Sequence, residues 1–271
     1  MSKTFEKKKK EIIMQSPEEL LIYAKPKMGK TDLVSRLDDC LIVDLEGGSG
    51  YVKGYVEQVT NLKELDELLT WLEKENPYKY VAFDTMTKLE EFAEQEATKN
   101  YMNSNMGKNF NRVTSIHVRT HGIPQAAVGK PFPETHELYE SVLNLPNGAG
   151  YGHLRNSYNK WFNRMKALSC RKIFICHIKD KMIETKQGAE ISGRDLNLTG
   201  KLKSITTSFV DTIGYLNRGE DGNTYLSFVS GEAVAEGSRS KHLTGRNILV
   251  GEWDKEKHDY SKVHWNQIYV D

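Results

Sequence analysis

The chain has 271 residues, of which 38% are hydrophobic and 28% charged, with a formal net charge of +1. That length suffices for one large domain or two small ones, the 10% aromatic content argues against general disorder, and no run approaches the ~18 apolar residues of a membrane span. Three scattered cysteines, Cys40, Cys170 and Cys176, form no CxxC pair and fit a reducing compartment better than a disulfide framework, so the expected location is the cytoplasm.

Residues 1–17 read as a basic tail, with Lys3, Lys7, Lys8, Lys9 and Lys10 against Glu6. Leu20 to Ala24 reads as a buried strand that ends in a turn-rich loop. Cys40 to Asp44 is a second strand, and Tyr55 to Thr60 a third. Leu62, Leu65, Leu68, Leu69 and Leu72 recur at helical spacing behind Asn61, a suitable N-cap. Tyr80 to Asp84 is the next strand, and an acid-rich helix follows over about Lys88 to Lys99. Residues 100–152 are rich in Asn, Gly and Pro and too long for an ordinary connection, so they read as a functional insertion or a mobile loop. A helix over Tyr158 to Leu168 and a strand over Lys172 to His177 come next. Asp211 to Val229, broken at Gly219 to Asn223, reads as a β-hairpin within a C-terminal region over 211–245. Strand-then-helix units of this kind predict a single α/β domain over 18–271 with a mostly parallel central sheet and helices on both faces.

Charge is strongly segregated along the chain. No acid occurs from Lys99 to Lys130, which holds five basic residues, or from Ser141 to Lys179, which holds seven. Two outcomes are open: a positive face for a polyanion, or neutralisation by acids brought in from elsewhere. Tyr101, Phe110, Trp161 and Phe162 lie inside these stretches. They could stack on bases or pack in the core.

The loop after the first strand is Ala24-Lys25-Pro26-Lys27-Met28-Gly29-Lys30-Thr31, which matches GxxxxGK[ST] except at Ala24. Such a loop curls backbone N–H groups around an anion at a helix N-terminus. Gly29 permits close approach to phosphate, Lys30 supplies charge to the β- and γ-phosphates, and Thr31 offers its hydroxyl to Mg²⁺. The candidate nucleotide-binding set is this loop together with Asp32. Asp84, at a strand end, is the candidate acid for the Mg²⁺ shell. Hydrolysis needs a carboxylate to polarise water, and the second strand offers Asp44-Leu45-Glu46. Period-2 alternation would place Asp44 and Glu46 on one side.

In this order, from Ala24–Thr31 through Asp44–Glu46, Val81–Asp84 and Gly150-Tyr151-Gly152 to Ile173–His177, the parts resemble the RecA-like P-loop ATPase core. More closely they resemble compact phage RecA-like ATPases of single-strand annealing and recombination. The resemblance covers about residues 18 to 215. It implies ATP and Mg²⁺ as cofactors, Glu46 as the activator of water and His177 as the reader of the γ-phosphate. It also implies a mobile DNA-contacting loop over about Lys179 to Lys203. Arg239 and Lys241 would enter a neighbour's nucleotide site in a homo-oligomeric ring or filament. The partner so implied is single-stranded DNA, with other recombination or replication proteins beside it and no membrane. For a phage protein the compartment is the host cytoplasm. Two other readings stay open: a nucleotide-gated interaction module without a DNA role, and a small-molecule kinase.

Overall fold

A computed structural model of the chain describes residues 15–184, 190–231 and 236–270. Residues 1–14 of the expected basic tail lie outside the described residues. Ser16, at the tail's end, is buried and accepts a hydrogen bond from the backbone N–H of Val270.

The first half alternates strand and helix: β1 (Glu19–Ala24), α1 (Lys30–Ser35), β2 (Cys40–Asp44), β3 (Tyr55–Gln58), α2 (Leu62–Glu75), β4 (Tyr80–Asp84) and α3 (Met86–Met102). The Asn61 side chain caps α2 by accepting from the backbone N–H groups of Lys63 and Glu64. Leu65, Leu69 and Leu72 are the face it buries. After a short α4 (Ser115–His121) come α5 (Gly150–Lys166), β5 (Arg171–Glu184), β6 (Glu190–Leu196), α6 (Leu202–Phe209), β7 (Thr212–Arg218), β8 (Thr224–Ser227), β9 (Gly237–Ser238), β10 (Asn247–Asp254) and β11 (Asp259–Val263).

The strands form one sheet in the order β11-β10-β8-β7-β1-β5-β4-β2-β3, with β6 paired to β5 and β9 to β7. From β3 to β7 the pairing is parallel, and the expected β7–β8 hairpin begins an antiparallel wing that β10 and β11 extend. Alternation along β1 divides the core. Leu21 and Tyr23 pack with α2, α3, α5 and α6, whereas Leu20, Ile22 and Ala24 pack with α1 and the C-terminal residues Trp265 to Tyr269. This is an α/β fold with a mostly parallel central sheet and helices on both faces.

Two elements differ from the sequence reading. Helix α5 begins at Gly150, eight residues before the expected Tyr158. Gly-Tyr-Gly looks like a loop, but a Cβ on Gly150 would stand 1.9 Å from the carbonyl oxygen of Val142, so close packing demands glycine there. The segment after His177 is not a loop in its described part. Strand β5 runs on past the sheet and pairs antiparallel with β6 from Ile178↔Leu196 to Glu184↔Glu190, forming a ribbon; residues 185–189 lie outside the described residues. Residues 100–152 hold α4 and several single turns. They are tied down by Asn111, which bonds both backbone groups of Glu140, and by Thr98, which accepts from the Val142 N–H. No helix among the described residues is long and apolar enough to cross a membrane.

Candidate nucleotide site

Parallel strands β1, β5, β4 and β2 deliver their C-terminal ends to one rim, where the loops of an open α/β sheet gather ligands. Ala24 ends β1 in register with His177 on β5, and Asp44 ends β2 in register with Asp84 on β4. All the sequence-predicted site residues of these four strands therefore meet on that rim.

The phosphate loop turns through left-handed backbone at Lys27 (φ 62°) and Gly29 (φ 82°), while Ala24 stays in the strand with its methyl buried. The missing first glycine thus carries no steric penalty, since the left-handed turns lie further along. Gly29 also passes close beneath β11, where a Cβ would stand 3.3 Å from the Tyr260 hydroxyl. The Lys30 ammonium is buried and folds back onto the loop. It donates to the carbonyls of Lys25 (3.1 Å) and Ala24 (3.5 Å) and approaches Nδ1 of His177 at 3.4 Å. Burial depresses its pKa against the pull of Asp84 and Glu46.

Thr31 donates its hydroxyl to Oδ2 of Asp84. Burial pushes Asp84 up to about 6, and nearby Glu46 adds to this against the opposing pull of Thr31 and Lys30. A hydroxyl and a buried carboxylate short of positive charge suit Mg²⁺, which takes oxygen ligands and completes its shell with phosphate and water. No cluster of three or more His, Cys, Asp or Glu that could hold a metal occurs among the described residues. The Asp84–Thr85 peptide is cis.

Glu46 accepts from His177 Nε2 (2.8 Å) and from the Thr85 hydroxyl (2.6 Å), both at Oε1. With the Lys30 ammonium directed at Nδ1, a neutral His177 carries its proton on Nε2 and donates it to Glu46. The His177 hydrogen bond holds the Glu46 carboxyl below its usual range, helped by Thr85 against the effect of burial.

Asp44 departs from expectation. Strand β2 ends there, so alternation no longer governs Glu46. The Asp44 carboxylate instead accepts from the N–H groups of Glu46 (3.0 Å), Gly47 (2.8 Å) and Ser49 (3.0 Å) and from the Ser49 hydroxyl. Burial opposes its charge, but these donors together hold its pKa low. Asp44 shapes the loop that aims Glu46.

Residues 16–114 match the family described as the AAA domain. The matched stretch runs from just before β1 past the end of α3, so it contains the phosphate loop, Glu46 and Asp84 and ends before His177. Together with the fold it supports a P-loop ATPase core. No curated protein matches the chain.

Other predicted residues fall outside the cluster. Asp32 turns its carboxylate to Arg36 Nε at 3.1 Å and leaves only its backbone near the loop. Arg239 bonds the Asp211 carbonyl beside the start of β7, and β7 and β1 run parallel, so Arg239 and exposed Lys241 sit by the opposite rim. They do not line their own subunit's site. Sequence reasoning missed Thr85 and Ser49, whose hydroxyls bond Glu46 and Asp44, and Tyr260, whose hydroxyl lies against Gly29. A Thr directly after a strand-end Asp and directly before a helix was the one available signal, as an N-cap.

Five of the twelve basic residues in these stretches pair with acids brought in from elsewhere. Lys160 pairs with Glu96 (2.8 Å), Arg164 with Asp66 and Glu73, Lys166 with Glu19 (4.0 Å), Arg171 with Glu18 (3.9 Å) and Lys99 with Glu134 (2.8 Å). Trp161 and Phe162 are buried, and Tyr101 and Phe110 are partly buried against each other in an edge-on pair. These paired and buried side chains do not contribute to a positive face.

Proposed function

We propose that the protein hydrolyses ATP with Mg²⁺ as a RecA-like oligomer, a ring or filament, acting on single-stranded DNA in phage-type recombination, annealing or replication. The observation that carries this reading is Glu46. It is a carboxylate on the rim beside the phosphate loop, tied at 2.8 Å to a histidine whose other nitrogen meets Lys30. In this reading Lys30 leaves its carbonyls for the β- and γ-phosphates, Thr31 and Asp84 hold Mg²⁺, and Glu46 takes a proton from the attacking water. Mg²⁺ supplies charge that offsets the phosphate oxygens. His177 then loses its Lys30 contact when the triphosphate arrives. Because β5 continues from His177 into the β5–β6 ribbon, the phosphate state is read out in that ribbon.

The DNA part rests on a groove of about 290 Å³ lined by Tyr151, Leu154, Arg155, Thr199, Gly200, Lys201 and Leu202. It joins the start of α5 to the start of α6, close to the ribbon. Neither Arg155 nor Lys201 has an acidic partner among the described residues, and Tyr151 is 45% exposed. Exposed aromatic and basic side chains side by side suit a single strand. Arg239 and Lys241, by the far rim, reach a nucleotide only across a subunit boundary, which is why an oligomer is proposed.

The test is the ATPase rate of the full chain with and without single-stranded DNA, over a range of protein concentration. The reading expects stimulation by DNA and a rate per subunit that rises with concentration. Tight ATP binding with no turnover under any condition would favour a nucleotide-gated module instead. Phosphate transfer to a metabolite would favour a kinase.

A further inference from the structure

We infer that Thr85 is a positioning residue for hydrolysis: its hydroxyl, with His177, pins Oε1 of Glu46 and leaves Oε2 as the oxygen presented to the attacking water. This inference rests on the proposed role of Glu46 as general base.

The hydroxyl has little freedom. Thr85 is fully buried and is the N-cap of α3, where its Oγ1 accepts from the Lys88 N–H at 3.3 Å and its carbonyl from the Leu89 N–H at 3.1 Å. From that fixed start it donates to Glu46 Oε1 at 2.6 Å. His177 Nε2 reaches the same oxygen at 2.8 Å. Each carboxylate oxygen has two lone-pair sites, so Oε1 is filled. Among the described residues no group hydrogen-bonds Oε2. The site thus distinguishes the two oxygens of one carboxylate, and it does so from two different elements, the head of α3 and the end of the β5 core segment. In the reaction the water oxygen bonds to the γ-phosphorus as the bond to the β–γ bridging oxygen breaks. That electron pair leaves with ADP, and the water proton passes to Oε2.

A carboxylate loosely held at Oε1 would still sit beside the phosphate but would spend less time aligned, and misalignment is a rate effect rather than a binding effect. Full-length Thr85→Val, Thr85→Ala and Thr85→Ser are compared with the wild type and with Glu46→Gln in steady-state hydrolysis of Mg–ATP, with thermal melts as the check on folding. The expected result is a kcat lowered by about 10- to 100-fold in Thr85→Val and Thr85→Ala at unchanged KM. Thr85→Ser, which keeps the donor, should restore most of kcat. Thr85→Ala serves where the second methyl of valine prevents folding. Wild-type kcat in Thr85→Ala or Thr85→Val beside an inactive Glu46→Gln overturns the inference and leaves the base intact. A loss confined to KM, or a Thr85→Ser as slow as Thr85→Ala, overturns it too. An active Glu46→Gln removes the base assignment and this inference with it.

Discussion

The rim of β1, β2, β4 and β5 and the outer face of α5 are both rich in charge, and they treat it in opposite ways. On α5, Lys160 and Arg164 each find carboxylates on neighbouring helices, and Arg164 grips Asp66, Glu73 and the Thr70 hydroxyl at once. On the rim, among the described residues, Lys30 hydrogen-bonds only carbonyls and an imidazole nitrogen, and Asp84 only a hydroxyl. Both are buried, and burying a charge without an opposite partner is unfavourable. The fold tolerates on the rim what it avoids on the helix. Charge density along the sequence therefore marks little here, whereas charge left short of partners marks the site, where a phosphate and a cation would complete it.

The comparison breaks most readily at Glu46. In Glu46→Gln the side chain keeps its shape and can still accept from Thr85 and His177, but it can no longer take a proton. Turnover should fall by about 10²- to 10⁴-fold with ATP binding retained, read by phosphate release and by calorimetry. An undiminished rate would move the base to another acid. Next in size is Lys30→Ala. If the ammonium is held ready for phosphate, its removal should weaken ATP by about two orders of magnitude. Calorimetry showing unchanged affinity would mean that the buried lysine is a structural feature of the loop.

Most of the rim was legible in the sequence, and for a physical reason. A strand that must lie buried on both faces writes a continuous apolar run, so β1, β2, β4 and the first half of β5 announce themselves, and the polar residue closing each run is automatically on the rim. What stayed hidden involves contacts that are not local. Asp44 and Glu46 look like a matched pair until the strand ends between them and Asp44 turns to its own loop. The Thr85 hydroxyl reads as a helix cap, and nothing nearby reveals that it also serves Glu46, 39 residues away. The β5–β6 ribbon carries mixed charge and glycines that suggest a loop, because its pairing partner is its own other half. The pairing of the basic stretches with Asp66, Glu73 and Glu96 depends on which helices the fold places side by side. Tyr260 on β11 is more than two hundred residues from Gly29, which it covers.

A sharper comparison uses pH. Burial raises the Asp84 carboxyl from 3.8 to about 6, so the nucleotide-free fold favours the protonated form. This contribution to stability is fully present below the unfolded value of 3.8 and is lost as pH rises through about 6. Asp84→Asn, neutral throughout, should escape that loss. Its advantage over the wild type should be on the order of 1–3 kcal/mol at pH 7.5 and shrink toward pH 4. Melting curves without Mg²⁺ or nucleotide measure it, and the same variant should lose Mg²⁺-dependent ATP binding. A wild type that is the more stable protein at pH 7.5 would show that Asp84 has charge compensation beyond Thr31 and Lys30.

The smallest effect lies on the other side of the comparison. Arg164 is 25% exposed, and its two acidic partners are 58% and 39% exposed, so water screens the pairs strongly. The fork nevertheless joins three side chains of α2 to α5 through separate nitrogens, a geometry in which arginine is worth more than a point charge. Arg164→Ala should cost about 1 kcal/mol, a fall in Tm of about 2–4 °C at this chain length. Arg164→Lys should recover only part of it, and the difference should narrow in high salt. Because the guanidinium is already committed to Asp66 and Glu73, single-stranded DNA affinity should not change. A marked loss of DNA binding in Arg164→Ala at unchanged Tm would mean that the ion pairs open in the complex and that the face of α5, not the groove at Tyr151, receives the strand.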